Sequence, residues 1–188
     1  MLEECGLPYN VHKINIGTNT EQFTPEYLKI NPNGKIPSIV DPDGPDGKPI
    51  AMMESGAILI YLAEKTNRFM TRENRYVVLQ WLMFQMGGVG PMFGQAHHFM
   101  RAKKDEIPYG SERYGNEAKR LYGVMDAHLA AHEYFADEYS IADMAIYPWT
   151  ARYEWHRVDI ASFRNVKRWY DKVGARPAVV KGMTIPQV

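Results

Sequence analysis

Apolar and polar residues alternate at period two over residues 11–16 (VHKINI), between the turn-forming groups Gly6-Leu7-Pro8 and Gly17-Thr18-Asn19. That period with those boundaries predicts a β-strand. Thr24-Pro25-Glu26 then offers a cap, a first-turn proline and an acid ahead of Tyr27, Leu28 and Ile30, and Asn31-Pro32-Asn33-Gly34 ends the segment as a short helix. Residues 36–40 and 49–53 are extended candidates around DPDGPDG, whose Asp-Gly pairs favour tight turns, so they read as a hairpin. From Ser55 onward SGAILIYLAEK sets Ile58, Leu59 and Leu62 on one helical face, with Lys65 near the end where a cation suits the helix dipole.

The pattern changes after Thr66-Asn67-Arg68, and from Arg75 nearly every segment repeats at helical period. Tyr114, Ala118, Leu121, Met125 and Leu129 recur at spacings of three and four, which makes residues 111–133 an amphipathic helix. Ser140-Ile141-Ala142-Asp143 has the form of a capping box opening a buried helix through Ala145, Ile146 and Trp149. Phe163, Val166, Trp169, Tyr170 and Val173 mark another. The expected organisation is therefore an α/β unit over residues 1–68 followed by an all-α unit over residues 74–188.

Composition narrows the function classes. The 22 Lys+Arg and 22 Asp+Glu cancel, so no long-range positive field draws nucleic acid or an anionic bilayer, and neither is an expected partner. No apolar run reaches the roughly 20 residues that cross a bilayer. Cys5 is the single cysteine and cannot form an internal disulfide. The opening MLEECG lacks the basic and apolar regions of a secretory signal, so the expected location is cytoplasmic.

Two segments carry candidate chemistry. In Asn31-Pro32-Asn33-Gly34-Lys35-Ile36-Pro37 a turn and a cation precede a proline that lacks a backbone donor and could adopt the cis form. That would leave the Ile36 backbone free at a strand edge to grip another peptide; the same residues also suit an ordinary turn. Glu54-Ser55-Gly56 falls where a strand meets a helix. Helix N-terminal amides favour an anion, Ser55 adds a hydroxyl and Glu54 can pair with an ammonium, which together suit an amino-acid zwitterion; a plain serine cap is the alternative.

Other residues have less to offer. Cys5 has no basic neighbour to lower its pKa and reads as structural. His97 and His98 are adjacent and diverge on a helix, and His128 and His132 lack a third ligand, so no metal site is expected. Tyr76, Trp81, Phe84, Met86, Met92 and Phe93 could line an apolar pocket but mostly read as packing. Gly87-Gly88-Val89-Gly90-Pro91 within that stretch should break or kink the helix.

NPNGKIPSIVD, MMESGAILIYLAEK and YSIADMAIYPW, in this order, resemble the cytosolic glutathione transferases. LQWLMFQMGGVGPMFGQAHHF and IPYGSERYGNEAKRLY resemble more narrowly the bacterial Nu class, whose members reduce disulfide bonds with glutathione. The resemblance covers essentially the whole chain. It implies a thioredoxin-like N-terminal domain and a C-terminal helical bundle, with glutathione as co-substrate and a small electrophile or disulfide as the second substrate. Ile36 would pair its backbone with the cysteinyl part of glutathione beside a cis Pro37, Glu54 and Ser55 would hold the γ-glutamyl group, and Lys35 or Gln22 would reach the glycyl or peptide portions. Arg113 would contact glutathione from the helical domain through a charge-assisted bond. The family's pairing of subunits implies a homodimer. Nothing in the chain matches the Thr and Asn that activate the thiol in the Nu class. Leu2-Glu3-Glu4 resembles the middle of the family's first helix. The thioredoxin-like domain is thus expected to be incomplete, lacking its first strand, and the catalytic residue is left unknown. A non-catalytic binding or regulatory module of the same fold is the alternative to an enzyme.

Overall fold

The structure is a computed structural model that describes residues 1–103 and 106–186. A short helix, α1 (Leu2–Cys5), precedes an irregular stretch and then α2 (Pro25–Leu28), which starts as its sequence suggests: Thr24 Oγ1 accepts from the Tyr27 amide at 3.3 Å and Pro25 takes the first turn. Strands β1 (Ser38–Asp41) and β2 (Ile50–Met53) form an antiparallel pair with Ser38 opposite Met53 and Asp41 opposite Ile50. The helix α3 (Ser55–Thr66) follows β2 directly and packs on both strands. Lys65 near its end donates to Asp41 Oδ2 at 2.6 Å, and Tyr61 donates to the same oxygen at 2.7 Å.

The strand expected over residues 11–16 does not form. Alternation supplies two faces but not a neighbour, and a strand persists only if its backbone groups find partners. Among the described residues no strand runs beside this one, and Val11 and Ile16 stand 50% and 53% exposed. Its backbone bonds turn inward: the Asn15 amide donates to Glu21 Oε2 at 2.7 Å, and the Asn15 carbonyl accepts from the Glu21 amide at 2.9 Å.

The rest is helical: α4 (Arg75–Phe84), α5 (Gly90–His97), α6 (Pro108–Leu129), α7 (Ile141–Thr150), α8 (Arg164–Gly174) and α9 (Pro177–Gly182). The glycine-rich stretch does not break the chain between α4 and α5. Residues Gln85–Val89 form one wider π turn that passes the helix on without interruption. Small residues tolerate the extra residue a π turn absorbs, and such turns often lie at functional sites.

The main core lies among α5, α6, α7 and α8, with Phe93, Tyr122, Met125, Ile146 and Trp169 inside. On α6 the buried positions Ala118, Leu121, Met125 and Leu129 keep the spacing seen in the sequence, and burying each large side chain contributes about 1.5–3 kcal/mol. A second cluster of Ala63, Val78, Leu82, Ile141 and Ala145 fastens α3 to α4 and α7, tying the hairpin unit to the helices. At the periphery Arg176, the residue just before α9, donates to both carboxylate oxygens of Glu4 at 2.8 and 2.9 Å and latches α1. No helix among the described residues is long and apolar enough to cross a membrane.

Candidate functional site

Glu21, Gln22 and Phe23 form a single 3-10 turn before α2, and α2 leads into the loop holding Asn31 to Pro37. Two polar side chains fix that loop from beneath. Tyr27 donates its hydroxyl to the Lys35 carbonyl at 2.6 Å, and Asn31 Nδ2 donates to the same carbonyl at 2.6 Å, while Asn31 Oδ1 accepts from the Asn33 amide at 2.9 Å. Gly34 turns with φ +61°, and a side chain there would meet the Phe23 ring within 2.8 Å. Lys35, Ile36 and Pro37 are consequently held outward and exposed, and the Ile36-Pro37 bond is cis.

The antiparallel register decides what lies next to them. Ser38 pairs with Met53, so one step further along each strand Pro37 and Glu54 meet at the same end of the ladder. Glu54 has φ +66°, a strained conformation for a residue with a side chain, costing on the order of 1–3 kcal/mol and typical of functional positions. It occupies the N-cap position of α3 without a capping side chain, its carbonyl accepting from the Ile58 amide at 2.9 Å. Ser55 is therefore the first helical residue rather than a plain cap. The amides at the start of α3 have no intrahelical partners, which leaves them to an incoming acceptor. The Ser55 hydroxyl points at Met86 Sδ of the π turn, 4.0 Å away.

Four of the seven sequence candidates thus converge: Ile36, Pro37, Glu54 and Ser55, with Lys35 beside them. Gln22 is buried below, its backbone oxygen against Gly34 and its side-chain Oε1 without a hydrogen-bond partner. Arg113 lies on a separate element, α6. It is exposed on the first half of α6, with its guanidinium 6.0 Å from the Tyr114 ring, and α6 packs on α5 and α8. Tyr27 and Asn31 were not legible as positioning residues, because a polar residue near a turn looks the same whether it bonds water or a distant carbonyl. Met86 was legible only as an apolar residue.

The hairpin end is an open ledge. Two hollows lie elsewhere, one bounded by Glu3, Leu7, Tyr9 and Lys181 and one by Ser111, Glu112, Lys119 and His156. The ledge differs from both hollows in bringing the start of α3, the Glu54 carboxylate and an exposed peptide edge together at one end of the hairpin. Among the described residues no group of three or more His, Cys, Asp and Glu side chains could hold a metal ion.

Comparison with known proteins agrees in fold. The family described as "Glutathione S-transferase, N-terminal domain" matches residues 1–65, and "Glutathione S-transferase, C-terminal domain" matches residues 92–177. The chain is 45% identical over 191 residues to the disulfide-bond oxidoreductase YfcG of Escherichia coli (strain K12), covering 100% of this chain and 88% of that one. A solved glutathione transferase from Pseudomonas putida, with one glutathione disulfide bound per subunit, is 46% identical with a TM-score of 0.93, over 98% of this chain and 84% of that one. A family member from Pseudomonas fluorescens pf-5 with two glutathione bound is 49% identical, also with a TM-score of 0.93, over 98% and 86%.

Proposed function

Since this chain belongs to the glutathione S-transferase family, we propose that it is an enzyme of glutathione-dependent thiol transfer whose reaction is the reduction of a small disulfide. Support for glutathione as co-substrate comes from one observation above the others: the hairpin register that sets the Ile36-Pro37 edge against Glu54 and the unpaired start of α3. The γ-glutamyl carboxylate would lie on the amides and hydroxyl at Ser55, its ammonium on Glu54, and the cysteinyl peptide group along Ile36. Lys35 or Gln22 would reach the glycyl or peptide portions, and Arg113 would approach from the helical side as a charge-assisted partner. The glutathione thiolate would then attack one sulfur of the disulfide. One S–S bond breaks as a mixed disulfide forms, and the leaving thiolate takes a proton from water; a second glutathione completes the exchange. A small electrophile would meet the same thiolate.

Glu54→Ala and Ser55→Ala are each expected to weaken glutathione binding by about ten- to a hundredfold, the worth of one charge-assisted hydrogen bond, with little change in melting temperature. Calorimetric titration beside a disulfide-reduction assay tests both halves of the proposal. Unchanged affinity in both variants removes the site. Tight binding without turnover leaves the binding-module reading in its place.

We further propose a two-fold homodimer built on α4. Tyr76, Val77 and Met83 are 77%, 42% and 50% exposed on that helix, an apolar strip that a self-complementary interface would cover. Sedimentation at micromolar protein should give twice the 21.6 kDa chain mass, and Tyr76→Glu should shift it to monomer. A monomer in the parent protein would sink this proposal.

A further inference from the structure

The π turn does more than carry the helix past its glycines. It brings Met86 onto the start of α3. The Met86 Sδ, Cγ and Cε atoms lie 3.0, 3.2 and 3.3 Å from the point where a side chain on Gly56 would begin, so the thioether rests directly on the second residue of that helix. A Cβ on Gly56 would be a tight contact that the Met86 side chain would have to relieve by shifting a few tenths of an ångström. The same sulfur is 4.0 Å from Ser55 Oγ and accepts from it. Thioether sulfur is a weak acceptor, and the bond leaves the hydroxyl free to turn to a better one. Met86 is half-buried, so it packs against the core and is also reachable from solvent.

We propose that Met86 is a modification site, where a hydroperoxide converts the thioether to a sulfoxide whose oxygen takes the Ser55 hydroxyl and the free amides of α3 away from an incoming carboxylate. The inference rests on the glutathione site proposed above. In the reaction the sulfur gives up two electrons and forms an S–O bond as the O–O bond of the hydroperoxide breaks. The hydroperoxide keeps its other oxygen and its proton and leaves as an alcohol, or as water where the oxidant is hydrogen peroxide, so one thioether and one hydroperoxide give one sulfoxide and one alcohol. Oxidation turns an apolar, weakly accepting group into a strongly polar acceptor. The new oxygen carries partial negative charge and arises within reach of a helix N-terminus, whose dipole and unpaired amides attract such charge. It therefore competes for the donors that would bind the γ-glutamyl carboxylate. Methionine sulfoxide is enzymatically reversible, so this contact would lower glutathione capture under peroxide stress and restore it afterwards.

Met83 and Met183 are 50% and 47% exposed and will oxidise as well, so the test must isolate Met86. The protein is treated with hydrogen peroxide, desalted, mapped by peptide mass and titrated with glutathione in a calorimeter. Oxidation mapped to Met86 should lower affinity about tenfold or more, and treatment with methionine sulfoxide reductases should restore it. Met86→Leu treated identically should keep the affinity of its own untreated form, and Met86→Gln, which carries a permanent amide oxygen, should bind weakly without peroxide. Unchanged affinity with Met86 oxidised, an equal loss in the Leu variant, or oxidation that passes Met86 by would each overturn the proposal. Untreated parent protein that fails to bind glutathione would instead overturn the underlying site reading, visible in the first titration before any oxidant is added.

Discussion

Replacing Asp143 by alanine is expected to cost about 3–5 kcal/mol of stability and to lower the melting temperature by on the order of 10 °C. The carboxylate is fully buried and answers four donors. Its Oδ1 accepts from the Trp169 indole at 2.8 Å and from the Phe135 amide at 3.2 Å, and its Oδ2 accepts from the Ser140 amide at 2.9 Å and the Ser140 hydroxyl at 3.0 Å. Burial pushes this carboxyl up in pKa while those four bonds pull it down. Removing it strands buried donors from three different segments, which is costlier than the loss of one exposed cap. The damage would spread because α7, which Asp143 starts, contributes Ile141 and Ala145 to one core cluster and Ala142 and Ile146 to the other. Asp143→Asn keeps the shape but offers two donors where acceptors are required, so it should lose less than alanine and more than a surface change. Urea unfolding followed by circular dichroism measures both, and a loss under about 1 kcal/mol for the alanine variant would show that the donors find other partners.

That capping box was readable from Ser140 and Asp143 because its chemistry is local, confined to one turn. The third and fourth partners, Trp169 and the Phe135 amide, were not readable, since nothing in their spacing says they meet a carboxylate. The same division runs through the site. Glu54-Ser55 and Ile36-Pro37 could be read as two separate groups, and each had an ordinary explanation alone. What joins them is the register of β1 on β2, a pairing between distant segments. Periodicity recovered the helices whose apolar faces are continuous, but it could not supply a partner for residues 11–16. It also overstated the glycines: Gly87 and Gly88 permit a break, yet the apolar residues on either side continue the buried face, and a π turn keeps both α4 and α5 in the core. Met86 illustrates the remaining gap, because its place over Gly56 is a contact between distant segments that spacing does not reveal.

The second large effect concerns acid. His97 and His156 stack at 4.5 Å with rings 6° apart, their Nε2 atoms 2.5 Å from each other, and the Tyr122 hydroxyl lies 3.2 Å from His156 Nδ1. One ring must donate and the other accept, which two neutral rings satisfy, whereas protonating both would set two N–H groups face to face; the first added proton is opposed by burial. Burial first, then Arg152 and Arg101, lowers His97 to about 4. Burial first, then His97 and Arg152, lowers His156 to about 3. Both guanidinium groups press on Trp155, at 3.6 Å for Arg101 and 4.7 Å for Arg152, keeping positive charge beside the pair. In the unfolded chain each imidazole takes its proton near pH 6.5, whereas the folded protein refuses it until well below pH 5. Between those limits the unfolded state holds more protons, so stability falls as pH falls. Allowing for the partial exposure of His97, the loss from about pH 7 to about pH 5 should be about 3 kcal/mol. His128, lowered mainly by burial, adds in the same direction. Carboxylates held low by partners, such as Glu4 beside Arg176 and Asp41 beside Lys65, lose their contribution only as pH drops through the carboxylate range, so they leave the interval above about pH 5 to the imidazoles. Urea midpoints measured across that interval should decline steadily, and a His97→Gln, His156→Gln double variant should flatten the decline. Proton NMR gives a reading that does not depend on the variant folding: two imidazole signals should stay neutral down to about pH 5. If every histidine titrates near pH 6.5, or if stability is level from neutral to about pH 5, the buried pair does not carry this acid sensitivity.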